Sequence, residues 1–306
     1  MAYLLLVFTV LFWVGNSVLA RAIHLEYPPV TLAFSRWSLA MLLILPFALP
    51  RIRREWPVIR GNWPIILLLS VLGISCFNTL IYTGLQTTTA TNTTLLHSMI
   101  PVLILVICRV FFRYAVSRRQ WAGVLLSMTG VLVLLSQARL EALLKLQFNH
   151  GDLWIFVAVL DWALYSVLLR YKPIELSGIA FLGITITVGA LALALPSVLE
   201  LGQGRLPHLT LQTSGTVLYM AIFPSILAYL CWNRGVAELG APVAGLFIHL
   251  MPLFGLLMSV LFLGEQVQAF HLVGIALIFS GIYLAVVTDT LRNLRPTKTQ
   301  EPSCKS

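Results

Sequence analysis

Hydrophobic residues run along this chain in stretches of about twenty, broken by short clusters of proline, glycine and charge. A helix needs about 20 apolar residues to cross a bilayer, and it satisfies its own backbone where no water is present. The pattern predicts ten such helices, over 2–20, 30–50, 63–83, 91–112, 120–137, 152–170, 177–198, 214–233, 242–263 and 271–288. Tyr27-Pro28-Pro29, Arg51 to Arg60, Arg113 to Arg119 and Gly202 to Pro207 separate them. Thr87 to Thr94 reads as a turn with a helix cap. Leu140 to Phe148 reads as a short amphipathic interfacial helix. The first stretch lacks the basic leader of a signal peptide and is expected to stay as a helix.

The second half repeats the first. Gly84, Pro101, Gly123 and Gly130 recur as Gly235, Pro252, Gly274 and Gly281 at a shift of 151, with 10 identities over the 47 positions from 84 to 130. Trp13, Ser17, Val18, Leu19 and Arg21 recur as Trp162, Ser166, Val167, Leu168 and Arg170 at a shift of 149. Each half carries five predicted spans, and an odd-numbered unit duplicated in tandem enters the membrane the opposite way up. The expectation is an all-α membrane protein of ten transmembrane helices in two inverted five-helix repeats. The repeats would cover 1–137 and 152–288, joined by a linker at 138–151 and followed by a cytoplasmic tail from 289 to 306. Secondary transporters use such repeats, with the solute held between the halves near the midplane.

Composition agrees, with 59% hydrophobic and 10% charged residues against roughly 25% charged in an ordinary soluble domain. Little chain remains for a soluble domain, so any uphill movement must draw on an ion or solute gradient. The net charge of +9 reads as a topology signal and not as a nucleic-acid footprint. If the N-terminus is cytoplasmic, the connections on that side hold 14 of the 20 Lys and Arg, against 4 on the other side and 2 within spans. The positive-inside rule then places both termini in the cytoplasm of a multi-pass protein of the bacterial-type plasma membrane. Cys76, Cys108, Cys231 and Cys304 show no metal-ligand spacing and no disulfide framework, so no metal or cofactor is expected. No nucleophile elbow, zinc box or phosphate loop points to an enzyme.

Two signatures resemble the EamA-type transporters of the drug/metabolite transporter superfamily, across essentially the whole chain. One is a proline in the fourth and ninth spans followed by a helix with two glycines seven residues apart (Pro101, Gly123, Gly130 and Pro252, Gly274, Gly281). The other is Leu261-Phe262-Leu263-Gly264-Glu265, similar to the family's Leu-Gly-Glu segment; the first half has Arg113-Tyr114 in place of Gly-Glu. Trp13-Val14-Gly15-Asn16-Ser17 is similar to the family's Trp-Gly-rich opening. The resemblance implies a carrier of a small organic solute.

Polar side chains facing lipid are costly, so those inside spans should face other helices or water. Asn78, Tyr82 and Gln86 share one helical face, and the shift of 151 sets Tyr229 and Asn233 at the places of Asn78 and Tyr82. Trp13, Asn16 and Ser17 correspond to Trp162, Tyr165 and Ser166. These faces either surround a central pocket or hold helices together by hydrogen bonds. His97 and His249 precede Pro101 and Pro252, where a bend or hinge is expected; each is a solute ligand, a group exchanging protons around neutral pH, or a packing residue. Candidate solute-binding residues are thus Trp13, Asn16, Asn78, Tyr82, His97, Trp162, Tyr165, Tyr229, Asn233 and His249. Asp161 either carries a coupling proton or forms a fixed ion pair, for instance with Arg36. Arg36 itself snorkels, pairs, or attracts a substrate carboxylate. Glu265 is a gate candidate. Gly123, Ser127, Gly130, Gly274 and Gly281 mark a scaffold or homodimer face. The resulting expectation is an exporter of an amino acid or similar metabolite, working by alternating access in a lipid bilayer. The alternatives are a non-transporting scaffold or sensor, and a carrier of drugs or nucleotide-type metabolites.

Overall fold

The computed structural model of the protein describes residues 1–293, apart from 24, 115, 140, 142–146, 148, 205, 264 and 265. Among the described residues, ten spans are long and apolar enough to cross a membrane: Ala2–Ala20, Pro29–Arg54, Trp63–Leu85, Asn92–Val110, Arg118–Ser136, His150–Tyr171, Gly178–Leu201, Leu211–Leu239, Ala241–Met258 and Ala269–Val286. They are called here the first to tenth spans. All ten predicted stretches are present as helix. The amphipathic helix expected over 140–148 falls mostly outside the described residues, as does the tail beyond 293.

Local sequence sets where the helices begin. Ser117, Asn149 and Thr210 open the fifth, sixth and eighth spans with reciprocal bonds to Gln120, Asp152 and Thr213. These occupy backbone donors that a helix start leaves open. Thr89 caps the helix Ala90–His97 by accepting from the Asn92 N–H, as the threonine run predicts. Because the chain crosses ten times, its loops alternate between two ends of the bundle. The linker end gathers residues 25–28, 86–89, 147, 149 and 206–210; the termini end gathers 1, 55–62, 111–114, 116–117 and 172–177.

Packing follows the repeat. The first span packs on the eighth and the sixth on the third, so exchanging the halves turns one pair into the other. The second packs on the seventh and the fifth on the tenth, each pair being its own image. Close approaches obey the same symmetry. A Cβ on Gly84 would come within 2.6 Å of Ile155, and one on Gly235 within 2.5 Å of Leu6. A Cβ on Gly123 would meet the Gly281 carbonyl at 2.5 Å, and one on Gly130 the Gly274 carbonyl at 2.6 Å. The small-residue faces of the fifth and tenth spans therefore cover each other within the chain as a scaffold.

The helices are interrupted where the repeat says they should match. The third and eighth spans carry π-helical segments at Val71–Cys76 and Ala221–Leu227. The fourth breaks at Ser98-Met99, and the ninth tightens to a 3₁₀ turn over Phe247–Leu250, each immediately ahead of Ile100-Pro101 or Met251-Pro252. Two carboxylates clasp the second and seventh spans at opposite ends. Glu200 accepts from Val30 N, Thr31 N and Thr31 Oγ1 at 3.2, 2.7 and 2.7 Å. Glu55 accepts from Ser177 N at 2.8 Å.

Candidate functional site

A cavity of about 190 Å³ lies in the linker-end half of the bundle. The first four spans wall it with Trp13, Asn16, Ser17, Leu32, Arg36, Phe77, Asn78, Ile81, Tyr82, Thr94 and His97. Trp162, Tyr229, Ile248 and Met251, from the sixth, eighth and ninth spans, form its floor. It reaches the linker end at Tyr27, Gln86 and Thr88. The volume lies below the roughly 300–1,000 Å³ of drug-sized ligand pockets. Its flat aromatic faces suit a solute with an apolar body.

The floor is an aromatic cluster on the line where the repeats meet. Trp13 and its repeat image Trp162 pack edge to face with ring centroids 5.0 Å apart. Trp162 also lies 5.0 Å from Tyr165, 5.5 Å from Tyr229 and 5.7 Å from Trp232. The π segment of the third span allows this packing. Gly73 sits against Tyr165 so closely that a Cβ would approach the ring to 2.5 Å. The Gly73 carbonyl accepts the Tyr229 hydroxyl, which ties the two repeats together.

Arg36 is the polar centre of the wall and is only 2% exposed. Nε donates to Ser225 Oγ at 2.6 Å, and Nη1 donates to Tyr82 Oη at 2.7 Å and Asn16 Oδ1 at 3.2 Å. The guanidinium lies 4.8 Å from the Trp37 ring centroid. A guanidinium has five N–H donors, so Nη2 keeps two without an acceptor among the described residues. The ion pair with Asp161 is not formed: among the described residues Arg36 makes no salt bridge. All three partners are neutral. Ser225, in the second π segment, escaped sequence reasoning because it gives no signal beyond being a serine in an apolar run.

Asp161 is buried beside the aromatic cluster but does not line the cavity, and its Oδ2 has no partner among the described residues. His97 lines the cavity; its Nδ1 lies 2.8 Å from the Thr93 carbonyl and must donate to it, leaving Nε2 as an acceptor. His249 does not line it. Fully buried, it contacts Ser127 Oγ through Nδ1 at 2.6 Å and the Ser98 carbonyl through Nε2 at 2.9 Å. Both nitrogens are occupied in joining the fourth, fifth and ninth spans. Tyr165 donates to Asn233 Oδ1 at 2.9 Å on the other side of the aromatic floor, also away from the cavity. Pro101 and Pro252 follow the helix breaks without lining the cavity, and Glu265 falls outside the described residues. The structure thus gathers Trp13, Asn16, Arg36, Asn78, Tyr82, His97, Trp162 and Tyr229 around one volume. It sets Tyr165, Asn233, His249 and Asp161 apart from it.

Sequence reasoning also missed a polar lock at the linker end. Asp152 is buried, accepts from Asn92 Nδ2 at 3.0 Å and from Asn149 N at 2.6 Å, and takes the Thr88 hydroxyl. It ties the loop between the third and fourth spans to the start of the sixth.

Comparison with known proteins agrees with the repeat and with the apolar helices. Residues 1–136 and 149–287 each match the EamA-like transporter family. Among curated relatives, the uncharacterized transporter YyaM of Bacillus subtilis (strain 168) is 30% identical over 262 residues, covering 85% of each chain. An uncharacterized transporter of Archaeoglobus fulgidus is 27% identical over 287 residues, covering 92% of this chain and 96% of its own. A crystal structure 19% identical in sequence superposes with a TM-score of 0.76, covering 96% of this chain and 99% of that one, and shows the same fold. The chain is a multi-pass membrane protein and belongs to the EamA-like transporter family.

Proposed function

We propose that the protein exports a small organic solute, of the size of an amino acid or related metabolite, by alternating access between its two repeats. One observation carries this reading: a cavity at the repeat interface that reaches one end of the bundle and is floored by a tight aromatic cluster. The solute would bind among Trp13, Asn16, Asn78, Tyr82, His97, Trp162 and Tyr229, with Tyr165 and Asn233 belonging to the closed side. The 14-to-4 distribution of Lys and Arg argues for cytoplasmic termini in a bacterial-type plasma membrane. The cavity then faces outward, and release to the outside is the step this conformation represents. A lone carboxylate is costly in its charged form within a membrane, so Asp161 is the candidate to exchange a coupling proton. A volume of about 190 Å³ argues against bulky drugs.

Counterflow into proteoliposomes preloaded with single unlabelled amino acids or small organic acids tests the reading. A saturable, solute-specific uptake that falls in Asn78→Ala at unchanged protein abundance is expected. Absence of saturable counterflow for every solute would turn the reading toward a scaffold or sensor.

A further inference from the structure

We propose that the solute of this cavity is a small organic monoanion, and that the two free Nη2 N–H groups of Arg36 hold its carboxylate. The inference rests on reading the cavity as the solute site and names the class of solute it takes.

Charge leads to it first. Arg36 is the only Lys, Arg, Asp or Glu side chain among the described residues that line the cavity. Its three hydrogen-bond partners, Ser225, Asn16 and Tyr82, are neutral. Buried charges in proteins are nearly always paired, and a guanidinium left alone at this depth is incomplete without an anion. Charge-assisted bonds from guanidinium to carboxylate are the strong kind. A second carboxylate would find no second cation among the described lining residues. The ammonium of a zwitterion would find no carboxylate there, and the acceptor His97 Nε2 is a neutral one. The site therefore favours one negative charge over a zwitterion, a cation or a dianion.

Hydrogen-bond polarity leads to it independently. Tyr82 Oη accepts from Arg36 and keeps its own hydrogen, which meets no acceptor among the described residues. Asn16 Oδ1 likewise accepts from Arg36, leaving Nδ2 without an acceptor there. The groups beside the guanidinium are thus oriented by it to present donors, which is what an anion needs. Beyond them the wall turns apolar through Trp13, Phe77 and Ile81, which suits a hydrocarbon or aromatic body.

The test is a binding titration of the full chain in detergent at pH 7, read by tryptophan fluorescence, since Trp13 and Trp162 line the cavity. Two matched series serve as probes: 3-phenylpropionate, phenylalanine, phenethylamine and 3-phenylpropan-1-ol; and hexanoate, norleucine, hexylamine and hexan-1-ol. In at least one series the monocarboxylate should bind about tenfold or more tightly than its zwitterionic, cationic and neutral partners, the ratio one charge-assisted bond supports. Arg36→Gln should remove that preference, the carboxylate losing at least about tenfold more affinity than the alcohol. The wild-type order needs no variant, so a variant that fails to fold does not shelter the proposal. Equal or tighter binding of the zwitterion, amine or alcohol in both series would overturn it, as would no binding by either carboxylate. Counterflow of the amino acids without binding of the acids would overturn the anion assignment and leave the transporter reading standing.

Discussion

The two halves of the bundle carry the same elements and handle the same positions in opposite ways. In the first half Asn16 and Tyr82 do not meet; both bond to Nη1 of Arg36, which stands between the first and third spans. Their images, Tyr165 and Asn233, bond each other directly at 2.9 Å, closing the sixth span on the eighth. At the shift of 149 the counterpart of Arg36 is Thr185, whose hydroxyl turns back to the Leu182 carbonyl. Ala20 and Ile81 line the cavity, whereas Leu169 and Trp232 fill the corresponding space and are buried. One guanidinium and a few side-chain volumes separate a half that holds a cavity from a half that holds a plug. The Asn and Tyr residues are not the difference, since both halves carry one of each at the swapped positions.

The widest effect expected from this comparison follows from giving the open half the closed half's residue. Ile81→Trp fills the cavity as Trp232 fills its counterpart. Solute counterflow should fall by about 100-fold or more, as expected when a substrate is kept about 3 kcal/mol out of its site. Folded protein, measured by fluorescence-detected size exclusion, should remain. Undiminished flux in a well-folded Ile81→Trp protein would detach transport from this cavity.

The reverse exchange is the next largest. Trp232 is buried between Trp13 and Trp162, with centroids at 5.2 and 5.7 Å. Trp232→Ile leaves a void that should cost about 3 kcal/mol, near the lower end for large-to-small core changes. It should also loosen the plug, so a cysteine placed at Leu169 should react faster with a membrane-impermeant maleimide applied from the termini end. Stability loss without a gain in labelling would mean that the aromatic cluster only packs and does not gate.

The clasps offer a milder contrast. Glu200 holds three donors at the linker end; Glu55 holds Ser177 N at the termini end and lies 3.7 Å from an exposed Arg54. Glu200→Gln should therefore lower unfolding stability by about 2 kcal/mol and Glu55→Gln by about 1 kcal/mol, within the overall range of net hydrogen-bond contributions of about 0.5–3 kcal/mol. Melting of both variants in the same detergent measures the ratio. Equal losses would mean that the extra bonds of Glu200 are exchanged for water without cost.

How much of this was legible in the sequence depends on what carried the information. The ten spans and the repeat were legible because apolar length and recurring Gly and Pro are one-dimensional signals. Gly123, Gly130, Gly274 and Gly281 were legible as a scaffold or homodimer face, but that Gly123 meets Gly281 and Gly130 meets Gly274 within the chain came from the structure. Most of the cavity wall was legible too, since Asn16, Asn78 and Tyr82 are polar where lipid would penalise them. Which half is open was not. It turns on Ile81 against Trp232 and Ala20 against Leu169, differences of volume among apolar residues that hydrophobic periodicity cannot register. The π segments were hidden because Val71–Cys76 continues the apolar run without a break. Arg36 was singled out, but its partners Ser225 and Tyr82 come from distant spans, so its neutral, open-ended surroundings emerged only in three dimensions. His249 had the look of a site residue, and only the repeat-related Ser98 carbonyl and Ser127 reveal that both its nitrogens are occupied.

The smallest effect lies where the two halves are tied to each other. Tyr229 spans the repeats by donating to the Gly73 carbonyl, whereas its image Asn78 turns back to the Ile74 carbonyl of its own helix at 2.8 Å. A π segment leaves backbone carbonyls short of their usual partners, so the Tyr229 hydroxyl has an acceptor that an uninterrupted helix would not offer. Tyr229→Phe keeps the ring packed against Trp37 at 5.1 Å and Trp162 at 5.5 Å and deletes the tie together with the hydroxyl's contact to Asn78. Hydrogen bonds between membrane helices contribute about 0.6–1.7 kcal/mol, and the melting temperature should fall by a correspondingly small amount. Asn78→Ala removes the bond to the Ile74 carbonyl and a side-chain hydrogen bond to Tyr229, so it loosens the contact between repeats without deleting the tie to Gly73. If the tie holds the repeats in the present arrangement, Tyr229→Phe should raise maleimide labelling from the termini end more than Asn78→Ala does. Equal labelling in the two variants would show that the inter-repeat bond merely satisfies a carbonyl and that the plug is held by aromatic packing alone.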